Sequence, residues 1–226
     1  MTSLLHSFEQ KISYHFNDIE LLDLALTHSS CESGEGDNQR LEFLGDAVLD
    51  LVIAEELYRN NPDFDEGRLD QLRADVVKGK VLAQYARKLD IDRFLKISEP
   101  QRRHRPELSA AMLEDALEAL IGAIYLDGGL ETARTFILET LSDAIRCALE
   151  NDSKSNPKGS LQEWIQNRHD GAVPKYITVS EKGPHHARLY EAAVEFNGRE
   201  LGRGQGSSKK SAEIAAAEQA LLRLGC

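Results

Sequence analysis

Cysteine is scarce in this 226-residue chain: Cys31, Cys147 and Cys226 are odd in number and far apart, with no C-x-x-C pair. Neither a disulfide framework nor a cysteine-built zinc site is implied, and the thiols read as free in a reducing compartment. Long apolar runs are missing too. No stretch approaches the roughly 18 apolar residues of a membrane span, and the opening MTSLLHSFEQKISYHF has no basic region followed by an apolar run of signal-peptide length. The expectation is a cytoplasmic protein with no membrane partner. Basic residues are outnumbered, 27 Lys and Arg against 38 Asp and Glu. A chain at −11 is, taken whole, a poor partner for a polyanion.

That shortage is uneven. Up to Glu150 there are 16 basic against 29 acidic residues, a balance of −13, whereas the remainder has 11 against 9, or +2. An acidic first part meets phosphate only if its carboxylates hold divalent cations, while a mildly basic tail can meet a polyanion directly. With 41% apolar residues the chain can fill real cores, and its length suits one large or two modest domains. The polar, Pro-containing run NDSKSNPK reads as a linker, which gives a first domain at residues 1–150, a linker at 151–158 and a second domain at 159–226.

The first domain is organised around QRLEFLGDAVLDLVIAEELY, residues 39–58, a helix with carboxylates in an unexpected place. At 3.6 residues per turn Leu41, Leu44, Val48, Leu51 and Val52 share one face, and Phe43, Ala47 and Ala54 form a second apolar strip. Little of the helix is then left for water. Glu42 and Asp46 stand at i and i+4 on a strip that continues into Leu49 and Ile53, so they are expected to face inward. Two such charges repel by about 3 kcal/mol at an effective dielectric near 20, before desolvation is counted. Either a buried arginine, Arg40 or Arg73 for instance, or a metal ion has to hold them.

A second helix, SAAMLEDALEALIGAIYLD, carries Asp115 and Glu118 on the face opposite Leu113, Leu117, Leu120 and Ile124. Ala119 and Gly122 beside those acids leave room for another helix to come close. The four carboxylates can then converge, and an all-oxygen set of this kind suits magnesium, or manganese, at a phosphoryl site. Glu66 opens a further helical run that extends through Lys88, where an acid is also explained by the helix dipole. THSS, residues 27–30, reads as a helix cap, and His28 as a hydrogen-bonded core histidine with no catalytic role. Residues 98–106, SEPQRRHRP, read as a basic loop. Gly128 and Gly129 end the second acidic helix.

The tail changes pattern. A short helix at 159–168, strands at 175–181, 187–196 and 199–205, and a closing helix at 208–224 give an α-β-β-β-α order. In the closing helix Ala212, Ala215, Ala216, Leu221 and Leu222 are expected to point inward.

RLEFLGDAVLDL at residues 40–51 resembles the signature of the ribonuclease III family, together with THSS, EGRLDQLRA at 66–74 and EDALEALIGAIYLDGG at 114–129. LQEW at 161–164, GPHH at 183–186 and GQGSSKKSAEIAAAEQAL at 204–221 resemble a double-stranded-RNA-binding domain. The resemblance implies an all-α catalytic domain followed by an α+β RNA-binding domain. It implies a metal cluster of Glu42, Asp46, Asp115 and Glu118, with Asp46 and Glu118 catalytic and Glu66 supporting. Gln39 stands where many members of the family have Glu, and its neutral amide can bond a metal-bound water without adding charge.

In the tail the resemblance places Gln162, Glu163 and His186 in successive minor grooves of A-form RNA. Ser208, Lys209 and Lys210 would lie at the phosphates between them, where a helix start already attracts anions. The activity implied is magnesium-dependent hydrolysis of double-stranded RNA to 5′-phosphate and 3′-hydroxyl ends with a short 3′ overhang. One cation would activate a water and a second would stabilise the leaving 3′ oxygen. A twofold homodimer through the catalytic domain would present one site to each strand. Ribosomal RNA precursors and other structured transcripts are the expected substrates. A non-cleaving double-stranded-RNA-binding dimer is the alternative, and a small-molecule phosphatase would leave the tail without a purpose.

Overall fold

The computed structural model describes residues 2–31, 36–104, 108–169, 171–184 and 188–225. The chain divides into two compact units, Met1–Ala148 and Leu149–Cys226.

The regular elements described in the first unit are helices, α1 (Thr2–Ile12), α2 (Ile19–Ala25), α3 (Gln39–Asn60), α4 (Glu66–Val76), α5 (Gly79–Lys88), α6 (Ile91–Phe94), α7 (Glu99–His104) and most of α8 (Ala110–Ser155), with one isolated parallel bridge between Thr27 and Lys96. Its core is built from Phe8, Leu22, Leu26, Leu49, Ile53, Leu57, Leu72, Leu82, Ile91, Leu113, Leu117 and Leu120, all essentially inaccessible to water. The acidic helix α3 runs through the middle of this set. The buried carboxylate of Glu9 holds the turn between α1 and α2, its Oε1 accepting from the amide of Phe16 at 2.7 Å. Asp127 also ties this turn, accepting hydrogen bonds from Tyr14 Oη at 2.6 Å and from the amides of Asn17 and Asp18.

Three sequence expectations are corrected. The single helix expected from residue 66 to Lys88 is two, because Val77 leaves the helix and Lys78 is extended (φ −61°, ψ 129°) before Gly79 starts α5. The expected basic loop forms the short α7 as far as His104; Pro100 in its first turn gives up an amide that a helix start leaves unpaired anyway, and Ser98 Oγ accepts from the amide of Gln101 at 3.3 Å. Helical structure also runs on from α8 to Ser155, and α9 (Pro157–Gln166) begins two residues later, so the expected linker is mostly helical. The break at Gly128 and Gly129 falls inside α8, where Gly129 adopts φ 80° and ψ 178°, a backbone conformation open to glycine.

In the second unit α9 is followed by the antiparallel sheet β1 (Lys175–Lys182), β2 (Leu189–Phe196) and β3 (Arg199–Gly206), in that spatial order, and by α10 (Lys209–Leu224). This is the α-β-β-β-α order. Leu161 and Ile165 of α9, Val194 of β2 and Ala216, Ala217 and Ala220 of α10 make the core. The alternating Gly202, Gly204 and Gly206 let the backbone of α10 lie directly on β3, since a Cβ on any of them would strike residues 211–220. Leu222 is the exception to the expected inward face: it is 78% exposed, whereas Leu221 packs half-buried against the core, beside the buried Ala217 and Ala220.

Candidate functional site

The backbones of α3 and α8 touch. A Cβ added to Gly45 would collide with the carbonyl of Glu118 and come within 2.8 Å of the amide nitrogen of Gly122, and one added to Gly122 would strike the carbonyl of Leu41. Ala119, between them, is fully buried. The close approach expected from Ala119 and Gly122 is therefore present, and it carries the acids of both helices to one place.

The electrostatics follow from that crossing. Glu118 is 9% exposed, and burial first, then the charges of Asp46, Glu114, Glu42 and Asp115, push its carboxyl up to about 8. Glu42 is raised by burial and then by Asp115, Asp37, Asp46 and Glu114. Asp115 is raised chiefly by burial, against a lowering pull from His28. Among the described residues no lysine or arginine pairs with any of these acids. Arg73, one of the two arginines the sequence offered, bonds Asp70 at 2.7 Å and stands 3.7 Å from Asp50, and Arg40 is exposed. Among the described residues no lysine or arginine supplies the positive charge that crowded carboxylates call for.

Two expectations about α3 are corrected here. Asp46 is exposed and lies at the rim of the cluster, while Glu42 is half-buried toward α8. Of the two apolar strips expected to leave little of the helix for water, Leu41, Val48 and Val52 are buried, whereas Phe43 of the second strip is 80% exposed and Leu51 of the first 54% exposed, with Ala47 and Tyr58 open on the same face. One helix cannot bury its whole circumference against the neighbours available in a single copy of this domain, and the side away from α8 is left open.

Gln39 and Glu66 are both open to solvent. Gln39 is exposed, and its backbone N–H donates to Asp37 Oδ1 at 3.0 Å. Glu66 is exposed in the first turn of α4, where Asp65 is the cap and accepts from the amide of Arg68 at 2.9 Å. Glu114, which sequence reasoning passed over, does act on the cluster: its charge raises both Glu42 and Glu118. Its i, i+4 relation to Glu118 was a signal available in the sequence. The expected helix cap at residues 27–30 is instead a pinned turn, in which His28 donates its amide to the carbonyl of Lys96 at 3.0 Å and Asn38 donates to that of Thr27 at 2.9 Å. The amide of Ser30 lies 3.0 Å from His28 Nδ1, which accepts from it.

All the candidate ligands are carboxylate oxygens, the donors a hard divalent cation takes, and the raised carboxyls of Glu42, Asp115 and Glu118 are ones that added positive charge would lower. They fit such a cation by chemistry. As they stand, no three His, Cys, Asp or Glu side chains among the described residues form a group that could hold a metal ion, in keeping with like charges that are not neutralised.

In the second unit Gln162 is exposed and Glu163 half-buried on α9, and Lys209 and Lys210 are exposed at the start of α10. Ser208 is the N-cap there. Its hydroxyl accepts from the amide of Ser211 at 3.1 Å and its own amide donates to Ser211 Oγ at 2.9 Å, a reciprocal capping box that leaves the next amides of the helix facing outward. His186 lies outside the described residues. Among the described residues no helix is long and apolar enough to cross a membrane.

Residues 18–145 match the Ribonuclease-III-like family and residues 157–224 the double-stranded RNA binding motif. The chain is 42% identical over 226 residues to Ribonuclease 3 of Caldanaerobacter subterraneus subsp. tengcongensis, spanning 98% of this chain and 99% of that one. It is 40% identical over 225 residues to Ribonuclease 3 of Vibrio cholerae, spanning 99% of each. Among solved structures, the nuclease domain of ribonuclease III from Campylobacter jejuni, described for flexibility in a region involved in dimer formation, superposes with a TM-score of 0.58 at 42% identity. That match covers 61% of this chain and 95% of that one.

Proposed function

Because the chain belongs to the ribonuclease III family and is an endoribonuclease of that double-strand-specific type, we propose that the acids converging at the α3–α8 crossing are its cleavage site. The observation that carries this reading is the contact of Gly45 with Glu118 and Gly122, which sets the acids of α3 and α8 within electrostatic reach of one another, with no lysine or arginine among the described residues paired to them.

Glu42, Asp46, Asp115 and Glu118 would hold the divalent cation on which the family depends, here magnesium or manganese. When bound, it neutralises the cluster and supplies Lewis-acid polarisation at the scissile phosphate. The chain's own part is positional. The glycine contact fixes the spacing of the two helices, the buried Leu113, Leu117 and Leu120 hold the acidic face of α8 outward from the core, and burial of Glu118 keeps bulk water from screening the site. Without the cation Glu118 holds its proton near neutrality, so loading the site and releasing that proton are linked.

The second unit binds double-stranded RNA. Lys209 and Lys210 would contact phosphates at the amide-rich start of α10, and Gln162, Glu163 and His186 would face the shallow minor groove. Two copies would pair through the open side of α3, because Phe43, Ala47, Leu51 and Tyr58 form an apolar strip that a single copy leaves in water. A twofold pair offers one site to each strand of a duplex. The products would carry 5′-phosphate and 3′-hydroxyl ends, and ribosomal RNA precursors are the substrates we favour.

Incubating the purified chain with a long RNA duplex, with and without magnesium, tests the reading. Magnesium-dependent fragments that a ligase joins without prior kinase treatment support it. Fragments formed equally well in chelator, or none at all, would contradict it.

A further inference from the structure

Glu114 is not among the four acids assigned to the cation, yet it lies on the same face of α8, one turn before Glu118 and next to Asp115. Its carboxylate is half-buried against Gly79, the first residue of α5, with Oε1 2.6 Å from the point where a Cβ on Gly79 would stand. Any side chain at position 79 would displace it. Lys78, the residue that should cap α5, makes no side-chain cap hydrogen bond, so the positive end of that helix is open to the carboxylate. From this seat Glu114 raises the carboxyls of Glu42 and Glu118, one on each helix, and is itself raised by burial and then by Asp115 and Asp46.

On α3 the matching place is neutral. Gln39 lies one turn before Glu42, as Glu114 lies one turn before Glu118, and it brings no charge. We infer that Glu114 is a fifth acid of the cation site, seated by Gly79 and supplying from α8 the negative charge that Gln39 does not supply from α3. The inference rests on the cation reading of the site. Glu114 acts there as a positioning residue: it adds to the field that draws the cation in and orients the water around it, without taking part in bond cleavage.

A blander alternative exists. Glu114 is then only a partner for the dipole of α5, and its loss changes the stability of the fold and nothing else. Manganese binding to the full chain, followed by electron paramagnetic resonance or calorimetry without RNA, separates the two and needs no turnover. Glu114→Gln is expected to weaken manganese binding by about tenfold. Gly79→Ala, which moves the carboxylate but keeps its charge, should weaken it in the same direction. Adding Gln39→Glu to Glu114→Gln should recover most of the loss.

A Glu114→Gln titration that superimposes on the parent's, whatever happens to the melting temperature, would overturn the inference while leaving the four-acid site standing. Failure of Gln39→Glu to restore binding would equally overturn the claim that the two positions serve one purpose. If the parent chain binds no manganese, the cation reading falls and this inference with it.

Discussion

Gly45 of α3 and Gly122 of α8 lie against each other's helix backbone, each facing a carbonyl of the opposite helix. Alanine at either position gains up to about 1 kcal/mol in helix propensity, but overpacking a filled core costs about 1 to 3 kcal/mol, and here the opposing atoms are backbone that cannot rotate away. Gly45→Ala is therefore expected to destabilise the fold and to lower cleavage further than the lost stability explains, since it spreads the acids. Gly67→Ala is the control, because the nearest atom to its added Cβ is a side-chain oxygen 3.8 Å away on an exposed turn. Thermal unfolding and cleavage rates of both variants check this. Equal behaviour of the two would contradict the close-contact account.

How much of this was legible beforehand depended on the range of the interaction. Ala119 and Gly122 could be read as room for a helix because small residues on one face have few other uses, and the acids of α3 stood out against apolar neighbours four residues away. The orientation of Phe43 and Leu51 could not be read, since an apolar strip has the same period whether it meets the core or a second copy. The seat of Glu114 against Gly79 was also illegible, because those residues are 35 apart and nothing local links them. The turn at Val77 and Lys78 has no proline and no glycine before Gly79, so the period ran through it.

The outward strip of α3 predicts the oligomeric state. Phe43→Glu places a charge in the middle of the proposed pairing surface and, in a single copy, merely replaces one exposed side chain by another. Light scattering should report half the parent's mass with the fold intact by circular dichroism, and cleavage of both strands should fall. A dimeric Phe43→Glu chain would show that pairing does not use this face.

Acidity supplies a further test. The carboxyl of Glu118 sits at about 8 in the folded chain, above its ordinary value near 4.3 when unfolded, so the folded state binds that proton more tightly. Its contribution to stability is fully present below about pH 4.3 and is lost as pH rises through 8; Glu42, Asp115 and Glu114 are raised in the same sense. Metal-free protein should therefore melt at falling temperature between pH 5 and pH 8. Magnesium should flatten the slope, and Glu118→Gln should remove most of it. A metal-free melting temperature that rises across that window would contradict the sign.

Lys209 and Lys210 predict a salt dependence. Replacing both by Ala should weaken duplex binding and reduce the slope of log affinity against log salt by about 2, at roughly 0.9 per phosphate contact on a duplex. Cleavage should persist at low salt, where the remaining contacts suffice. An unchanged slope in a filter-binding or anisotropy titration would remove α10 from the phosphate interface.

In the proposed division of labour the buried carboxylate at the helix crossing serves cleavage and the second unit serves binding. Glu118→Gln takes away one charge in a nearly isosteric change, with Lys209, Lys210 and Gln162 untouched. Duplex affinity and cleavage rate measured on the same preparation, at saturating magnesium, test the division of labour most directly. The account predicts parental affinity with cleavage lower by several orders of magnitude, and turnover close to the parent's would contradict it.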